Sequence, residues 1–147
     1  MNAKRVVTGG IAAGVAIIIV DFLASWLFLM ERYRLLQQGG VYYQKPRLPF
    51  FPVWLLLMLG MGLGLAWLYA AVRPRLGPGP RTAALLGLVV GLMIYTPANV
   101  MTFAWTHEGG FVALVRLAAG LVGSVGGALV AGALYQEGAA AAPGSPA

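Results

Sequence analysis

Residues 111–135 read FVALVRLAAGLVGSVGGALVAGALY and contain a single charged side chain, Arg116. A helix needs about 20 apolar residues to cross a hydrocarbon core about 30 Å thick, and this run is longer than that. Its apolar residues are distributed around the whole helix rather than along one stripe, which is typical of a helix surrounded by lipid. The run therefore predicts a transmembrane helix.

The same segment carries its small residues in two neighbouring rows. Both rows repeat at every fourth residue: one is Ala119, Gly123, Gly127 and Ala131, and the other is Gly120, Ser124, Ala128 and Gly132. This spacing lets helix backbones approach closely in lipid, where no hydrophobic effect drives helices together. Each row fits either packing inside a bundle or contact with another subunit. The same spacing occurs in the other apolar stretches at Gly10 and Gly14, Gly60 and Gly64, and Gly87 and Gly91.

Three more apolar stretches of similar length precede this one. They complete a set of predicted helices over about residues 6–30, 50–72, 82–105 and 111–135. We predict an all-α fold, a four-transmembrane-helix bundle formed by a single domain over residues 1–137. The Ala-, Pro- and Gly-rich tail, residues 138–147, is expected to be disordered. Lys4 and Arg5 also suit a signal peptide, but the first apolar stretch is far longer than an h-region and no Ala-x-Ala follows it.

The composition agrees with a bilayer location. Of the 147 residues, 60% are hydrophobic and only 10% are charged, and the mean hydropathy is +0.82. Soluble domains contain about 25% charged residues, and so few charges cannot cover the surface of a soluble globule of this composition. The absence of cysteine excludes disulfides and thiolate metal sites.

Glycine and proline mark the connections between the predicted helices. Pro74 is expected to stop helix two, and Pro80 suits the first position of helix three. Residues 109–110 are both glycine and predict a tight hairpin before helix four. In the longer first connector, residues 31–38 are expected to prolong helix one until Gly39.

The net charge of +6 derives mainly from basic residues that flank the apolar stretches. Cations at such positions meet lipid phosphates, so Arg73, Arg75 and Arg81 are predicted headgroup contacts. No basic face or recognition motif accompanies the charge, and nucleic acid is therefore not an expected partner. Four spans put both termini on one side of the membrane. The purely basic turn around Arg73 favours the cytoplasmic side for them.

A small set of polar residues interrupts the apolar helices near the end that carries the first connector. The antiparallel topology brings Asp21, Asn99 and Arg116 to similar depths, and an ionised carboxylate at that depth is costly without a partner. We predict an inward-facing polar cluster whose further members, by helical spacing, are Ser25, Thr96 and Thr102. This cluster has three alternative interpretations. It is a buried ion pair that fixes helix register, a solute or proton site, or a docking point for a lipid headgroup or another polypeptide. In a further alternative, Arg116 points outward alone, which leaves Asp21 protonated.

Catalytic constellations are missing around this cluster. Asp21, Ser25 and His107 contain the side chains of a triad, but His107 is expected at the membrane boundary and no nucleophile elbow surrounds Ser25. The His107-Glu108 pair lacks the second histidine of a His-Glu-x-x-His zinc motif. A single histidine also excludes bis-histidine haem ligation within the chain. We expect no enzymatic activity, no metal and no cofactor.

Aromatic residues lie near the predicted ends of the helices. As anchors in the headgroup regions, we expect Trp26, Trp54 and Trp105 at one surface and Trp67, Tyr69 and Tyr135 at the other. Contact of these rings with a pigment or quinone would require a larger cofactor-carrying complex beside the chain.

Two segments carry a resemblance to known proteins. The first comprises Lys4-Arg5, the Gly-Ile-Ala-Ala-Gly of residues 10–14 and Asp21-Phe22-Leu23; the second is GLAWLYAAVRPRLGPGPRTA, residues 64–83. Together they resemble a group of small, uncharacterised bacterial membrane proteins of about this length. The resemblance implies a multi-pass protein of the bacterial inner membrane and carries over no activity.

The missing catalytic groups and the excess of small-residue faces indicate a non-catalytic membrane protein. We expect a structural or accessory subunit that packs in the lipid bilayer against other membrane chains or copies of itself. The alternative is a small oligomeric transporter or channel that uses Asp21, Asn99 and Arg116, and a membrane enzyme acting on lipid is a third reading. A proton pathway would need further ionisable groups across the other half of the membrane, and the sequence supplies none there.

Overall fold

Four long helices make up the computed structural model, which describes residues 2–135. They are α1 (Ala3–Gln38), α2 (Phe50–Leu76), α3 (Pro80–Trp105) and α4 (Gly110–Leu134). No strand occurs within residues 2–135. All four helices are long and apolar enough to cross a membrane, so the chain has the build of a multi-pass membrane protein. The tail predicted to be disordered, residues 138–147, lies outside the described residues.

Helix α1 runs without a break through a change of helical pitch. It consists of an α-helix, Ala3–Ala24, a π-helical turn, Ser25–Leu29, and a second α-helix, Met30–Gln38. Such π turns are rare and occur frequently at functional sites. The helix ends at Gly39, as predicted, and Gly40 follows with a φ of +74°.

The turn between α2 and α3 differs from the prediction. Pro74 does not stop α2, which continues to Leu76 and ends at Gly77, where φ is +83°. A proline inside a helix removes one backbone hydrogen bond, but this loss falls in the last turn, and the Gly77 N–H still donates to the Arg73 carbonyl at 2.9 Å. Pro80 begins α3 as predicted.

Helices α1 and α4 form the centre of the bundle. Helix α1 packs along both α2 and α4, and α4 packs along α3, whereas α2 and α3 touch only lightly. A Cβ added at Gly127 would lie 3.2 Å from the Ala13 carbonyl oxygen of α1, and one added at Gly87 of α3 would lie 2.6 Å from that of Ser124. The two small-residue rows of α4 thus face two different helices. The small residues in these contacts include Gly87, Gly91, Gly120, Gly123, Ser124 and Gly127, whereas Gly10 and Gly14 contact α2.

The glycines of α2 pack differently from the sequence expectation. No described residue would come within 4 Å of a Cβ at Gly60 or Gly64, so neither lies in an internal contact. Gly62 faces α1 instead, where a Cβ would overlap the backbones of Gly10 and Gly14. Residues two apart lie about 200° apart around a helix. The sequence spacing predicted that the face of α2 with Gly60 and Gly64 packs inside the bundle. In the structure, the face with Gly62 packs against α1 instead.

The end of the bundle that holds Asn2, the α2–α3 turn and Tyr135 is called the terminal end here. Tyr69 and Tyr135 are both only 2% exposed, and their rings meet edge to face with centroids 6.3 Å apart. The Tyr69 hydroxyl accepts the Gly79 N–H at 3.0 Å, and the Tyr135 hydroxyl accepts the Asn2 N–H at 3.3 Å. The predicted headgroup role is wrong for these two tyrosines, because their phenols satisfy backbone donors within the bundle.

The three arginines predicted as headgroup contacts lie at this terminal end. Arg75 and Arg81 are exposed, whereas Arg73 is partly buried. The Arg73 guanidinium carbon lies 5.6 Å from the centre of the Tyr135 ring. Arg73 therefore also contacts the protein, while the other two remain open to their surroundings.

Candidate functional site

A cavity of about 750 Å³ lies towards the opposite, hairpin end of the bundle, which holds the connector over residues 39–49 and the α3–α4 hairpin. It lies where α2 and α3 touch only lightly, and connector residues contribute to its wall. Its volume falls within the range of ligand pockets, about 300–1,000 Å³. We call it the Asp21 cavity; its polar lining is Asp21, Ser25, Gln37, Asn99, Thr102 and Arg116, and its aromatic lining is Phe22, Tyr33, Tyr42, Tyr43, Phe50, Phe51, Trp54 and Tyr95.

The cavity brings together the predicted polar residues except Thr96. Residues three apart in a helix differ by about 60° in direction, so Thr96 and Thr102 lie about 120° apart on opposite sides of Asn99. Only Thr102 reaches the cavity. The Thr96 hydroxyl is buried and has no hydrogen-bond partner within the described part of the chain.

Arg116 forms its ion pair with Glu108 rather than with Asp21. One terminal nitrogen, Nη1, lies 2.8 Å from a Glu108 carboxylate oxygen. The other two nitrogens donate to phenol oxygens, Nε to Tyr33 at 3.1 Å and Nη2 to Tyr42 at 2.8 Å. The buried Asp21–Arg116 ion pair considered from the sequence therefore does not form, and Arg116 does not point outward alone. Glu108 was missed as a partner, although its place eight residues before Arg116 and two residues before α4 begins is a usable signal.

Tyr42 joins this ion pair to the connector. Its hydroxyl accepts from Arg116 and donates to Glu108. Burial, followed by the hydrogen bond to Glu108, raises the pKa of Tyr42, so its phenol remains protonated and available as a donor at neutral pH. The Tyr33 ring lies 5.8 Å from the Tyr42 ring and 5.4 Å from the Arg116 guanidinium carbon. We call these four residues, Tyr33, Tyr42, Glu108 and Arg116, the Arg116 network.

The Arg116 network holds four segments of the hairpin end together. Tyr33 belongs to the extension of α1, Tyr42 to the connector, Glu108 to the α3–α4 hairpin and Arg116 to α4. The Glu108 side chain is only 12% exposed and that of Arg116 is 33% exposed. A charge pair removed this far from water is costly to break on one side only, because the other charge is left without its partner.

Asp21 lines the cavity from α1, one helical turn before the π turn begins. Trp54, Arg116 and Tyr95 lie within electrostatic reach of its carboxylate. Among residues 2–135, no lysine or arginine lies within 4.0 Å of its carboxylate. A carboxylate has about four acceptor positions, so most of the acceptor capacity of Asp21 is left for an occupant of the cavity.

The α3 wall of the cavity combines a fixed amide with hydroxyl and aromatic groups. Asn99 is buried, and its side-chain nitrogen donates to the Tyr95 carbonyl at 2.8 Å. The Tyr95 hydroxyl lies 3.6 Å from the Met61 sulfur, which ties α3 to α2 beside the cavity. Pro97 lies between Tyr95 and Asn99 in α3 and supplies no backbone N–H. The wall is thus polar at Asn99 and Thr102 and apolar at the Tyr95 ring.

The three side chains considered from the sequence as a triad lie apart in the structure. His107 is exposed in the hairpin and does not line the cavity, so Asp21, Ser25 and His107 are not brought together. Within residues 2–135, no three His, Asp or Glu side chains form a group suited to a metal ion. The Asp21 cavity combines a polar lining with an aromatic lining. Such a cavity suits a molecule with one polar and one apolar part.

Comparison with other proteins does not identify the site. No known protein family, curated protein or solved structure matches this chain. The residues of the Asp21 cavity are therefore the basis on which a function is inferred.

Proposed function

We propose that this chain is a non-catalytic membrane protein that binds an amphiphilic molecule in the Asp21 cavity. The observation that carries the proposal is the cavity itself, about 750 Å³ in volume, with Asp21 and Asn99 beside aromatic side chains. Ligand pockets are typically apolar with a few well-placed polar groups. The ligand enters from the bilayer between α2 and α3, because these helices touch only lightly.

Binding is better supported than conduction through a single copy of the chain. A solute path would have to continue from the cavity through the terminal half of the bundle. Small side chains pack that half tightly, and Ala13, Ala66 and Ala131 are each at most 1% exposed. A transporter or channel that uses Asp21, Asn99 and Arg116 would therefore need a large rearrangement of the packed half or a path formed between copies.

The binding proposal is tested by photolabelling of the protein in maltoside micelles. The probe is a long-chain alcohol, uncharged, with a diazirine in its alkyl chain, and the adducts are located by peptide mass spectrometry. We expect adducts to concentrate on cavity-lining residues such as Phe22 and Met58. Labelling spread evenly over the exposed apolar residues of all four helices would contradict the proposal.

Matched tryptophan variants separate cavity labelling from surface labelling. Ala98 lines the cavity, so Ala98→Trp fills it and is expected to abolish the adducts at Phe22 and Met58. Ala118 lies on the exposed side of α4 at a similar distance from its helix end and does not line the cavity. Ala118→Trp should leave the adducts unchanged. Equal labelling in both variants would contradict binding within the cavity.

A second candidate role is that of an accessory subunit that packs against other membrane chains or copies of itself. It is supported by Gly60 and Gly64, because no described residue would approach a Cβ at either position. The spacing of these glycines suits close approach of another helix. We expect the double variant Gly60→Leu with Gly64→Leu to lose a partner that co-purifies at fixed stoichiometry in mild detergent. The control Ala118→Leu should retain it, and retention by both proteins would contradict this role.

We further propose that the chain lies in a bacterial inner membrane with its terminal end in the cytoplasm. The support is the resemblance of residues 64–83 to small bacterial membrane proteins and the basic residues of the α2–α3 turn. The chain has no cysteine, so single cysteines report the orientation directly. A membrane-impermeant maleimide should label Lys45→Cys in intact cells and label Arg75→Cys only after lysis. The reverse pattern would contradict the orientation.

A further inference from the structure

We infer that the ligand of the Asp21 cavity is an amphiphile with an ammonium group in its head, which lies at Asp21 while its apolar part lies against the aromatic walls. This inference rests on the binding function proposed above and names the chemical class of the ligand. It follows from two features of the cavity: the pairing of its charges and the kind of rings in its walls.

Of the two charged side chains that line the cavity, Arg116 has an ion-pair partner and Asp21 has none among the described residues. Every nitrogen of the Arg116 guanidinium donates to a partner in the Arg116 network, at distances between 2.8 and 3.1 Å. Asp21 lies near the Trp54 side chain and has no ion-pair partner among the described residues. An ionised carboxylate away from water is costly without a countercharge. A cation in the cavity supplies that charge and forms the stronger, charge-assisted kind of hydrogen bond or ion pair.

The walls of the cavity favour a cation over a neutral head. Trp54 and Tyr95 both line the cavity and lie within electrostatic reach of Asp21. Cations are attracted to the faces of aromatic rings, and aromatic cages beside an acidic group are a common way to bind substituted ammonium ions. The further rings of Phe22, Phe50 and Phe51 offer apolar surface for a hydrocarbon chain.

The same features disfavour an anionic ligand. An anion would be repelled by Asp21 and would have to replace Glu108 at Arg116, where the existing contact is 2.8 Å long. The cations of the connector do not change this conclusion: Arg47 is exposed and stacks on Tyr43 with its guanidinium carbon 4.3 Å from the ring centre. Lys45 is exposed as well and does not line the cavity.

Two sources supply the same ligand chemistry. One is the primary ammonium headgroup of a phospholipid, with its acyl chains extending into the bilayer between α2 and α3. The other is a free hydrophobic organic cation that partitions into the membrane from water. Both place one positive charge near Asp21 and a hydrocarbon portion beside the rings, so the cavity volume of about 750 Å³ does not separate them.

The test compares three photoactivatable probes with the same diazirine-bearing chain and different heads: a trimethylammonium, an alcohol and a carboxylate. Each is applied to the wild-type protein in maltoside micelles, and adducts at Phe22 and Met58 are quantified. We expect the ammonium probe to half-saturate the labelling at a concentration about tenfold below that of the alcohol, because its charge is attracted to the Asp21 carboxylate and to the faces of the aromatic rings. The carboxylate probe should label these residues least. Equal labelling by all three heads would overturn the inference while leaving the binding function intact. Failure of every probe to label the cavity would contradict both.

Variants at two acidic positions show whether Asp21 provides the selectivity. Asp21→Asn keeps the side-chain shape and removes the charge, so labelling by the ammonium probe should fall to the level of the alcohol probe. Glu31→Gln removes an acidic charge from the same helix outside the cavity, where Glu31 pairs with Arg34 in an exposed contact. It should keep the tenfold preference. An ammonium preference that persists in Asp21→Asn would overturn the assignment, and the wild-type comparison of heads decides the inference if this variant does not fold.

Competition identifies the source of the ammonium group. Micelles doped with phosphatidylethanolamine or with phosphatidylglycerol of the same chains are compared at equal mole fraction. Displacement of the ammonium probe by phosphatidylethanolamine alone would support a lipid ligand. Displacement by a soluble alkyltrimethylammonium, with no effect of either lipid, would support a free cation. Displacement by neither would overturn the inference, because an ammonium site must accept at least one of them.

Discussion

The two halves of the bundle use opposite kinds of side chain. In the terminal half, glycine and alanine bring the helices together, and Ala13, Ala128 and Ala131 are completely buried. In the hairpin half, aromatic and polar side chains hold α2 and α3 apart around a cavity of about 750 Å³. Small residues allow close backbone contact, which lipid-embedded helices need for stable packing. The comparison shows that one half of the bundle is closely packed and the other half surrounds a cavity.

The hairpin half replaces close packing with polar cross-links. The Arg116 network joins the α1 extension, the connector, the hairpin and α4 through contacts of 2.8 to 3.1 Å. These contacts hold the four segments in place while leaving space between their backbones, because the side chains are long. Small residues would instead let the backbones approach one another. The network can therefore hold the wall of a cavity open while the glycine contacts of the other half keep the bundle folded.

The largest effect is expected from Gly62→Leu in the packed core of α1 and α2. A Cβ at residue 62 already overlaps the backbones of Gly10 and Gly14, and backbone cannot move aside as a side chain does. We expect a loss of at least about 3 kcal/mol in unfolding free energy, measured by dodecyl sulfate titration in mixed micelles. Gly60→Leu, two residues before Gly62 in α2 and open to its surroundings, is the control and should remain near wild type. A folded Gly62→Leu protein of normal stability would contradict the packing described.

The same substitution in the two halves tests the comparison directly. Ala128 is completely buried, so Ala128→Leu should cost about 2 kcal/mol by overpacking. Ala98 lines the cavity, and Ala98→Leu should leave the unfolding free energy nearly unchanged because the added methyl groups enter empty space. The two variants are measured by the same titration. Similar losses in both would show that the halves do not differ in packing.

A smaller effect is expected from Glu108→Gln in the Arg116 network. The amide keeps the shape of the side chain but leaves the partly buried Arg116 without its countercharge. We expect a loss of about 1–2 kcal/mol, below the value for a fully buried pair because Arg116 keeps some contact with water. Hydrogen exchange should rise in residues 39–49. Glu31→Gln, which breaks an exposed pair, should change neither quantity, and unchanged exchange in Glu108→Gln would argue against the network as a restraint on the connector.

The smallest effect is expected at the terminal end, from Tyr69→Phe. The variant keeps the buried ring and removes the hydroxyl that accepts the Gly79 N–H at 3.0 Å. The loss should be about 1 kcal/mol, typical of one hydrogen bond. Phe50→Tyr adds a hydroxyl at an exposed position in the other half and serves as a control for phenol substitution. No measurable loss in Tyr69→Phe would indicate that water replaces the hydroxyl.

Individual residues show which contacts of this protein could be predicted from sequence patterns and which could not. The two rows of α4 were visible as spacing, but the spacing did not state that Gly127 faces α1 and Ser124 faces α3. For Asp21, Asn99 and Arg116, the topology was enough to predict similar depths, and all three line the cavity. The partner of Arg116 required coordinates, because Glu108 and Asp21 both lie within the reach of a flexible side chain. Glu108 is the one that meets it.

Apolarity, helix length and the absence of strand patterns by themselves determined that this chain forms four helices suited to a membrane, because each property depends on neighbouring residues alone. Which glycine of α2 meets α1, which carboxylate meets Arg116 and where the helices separate were decided only in the tertiary structure. These outcomes depend on the rotation of each helix about its axis and on its contacts with distant segments. Rotating a helix about its axis by about 100°, the angle between successive residues, changes which face meets a neighbouring helix. The sequence pattern along the helix stays the same.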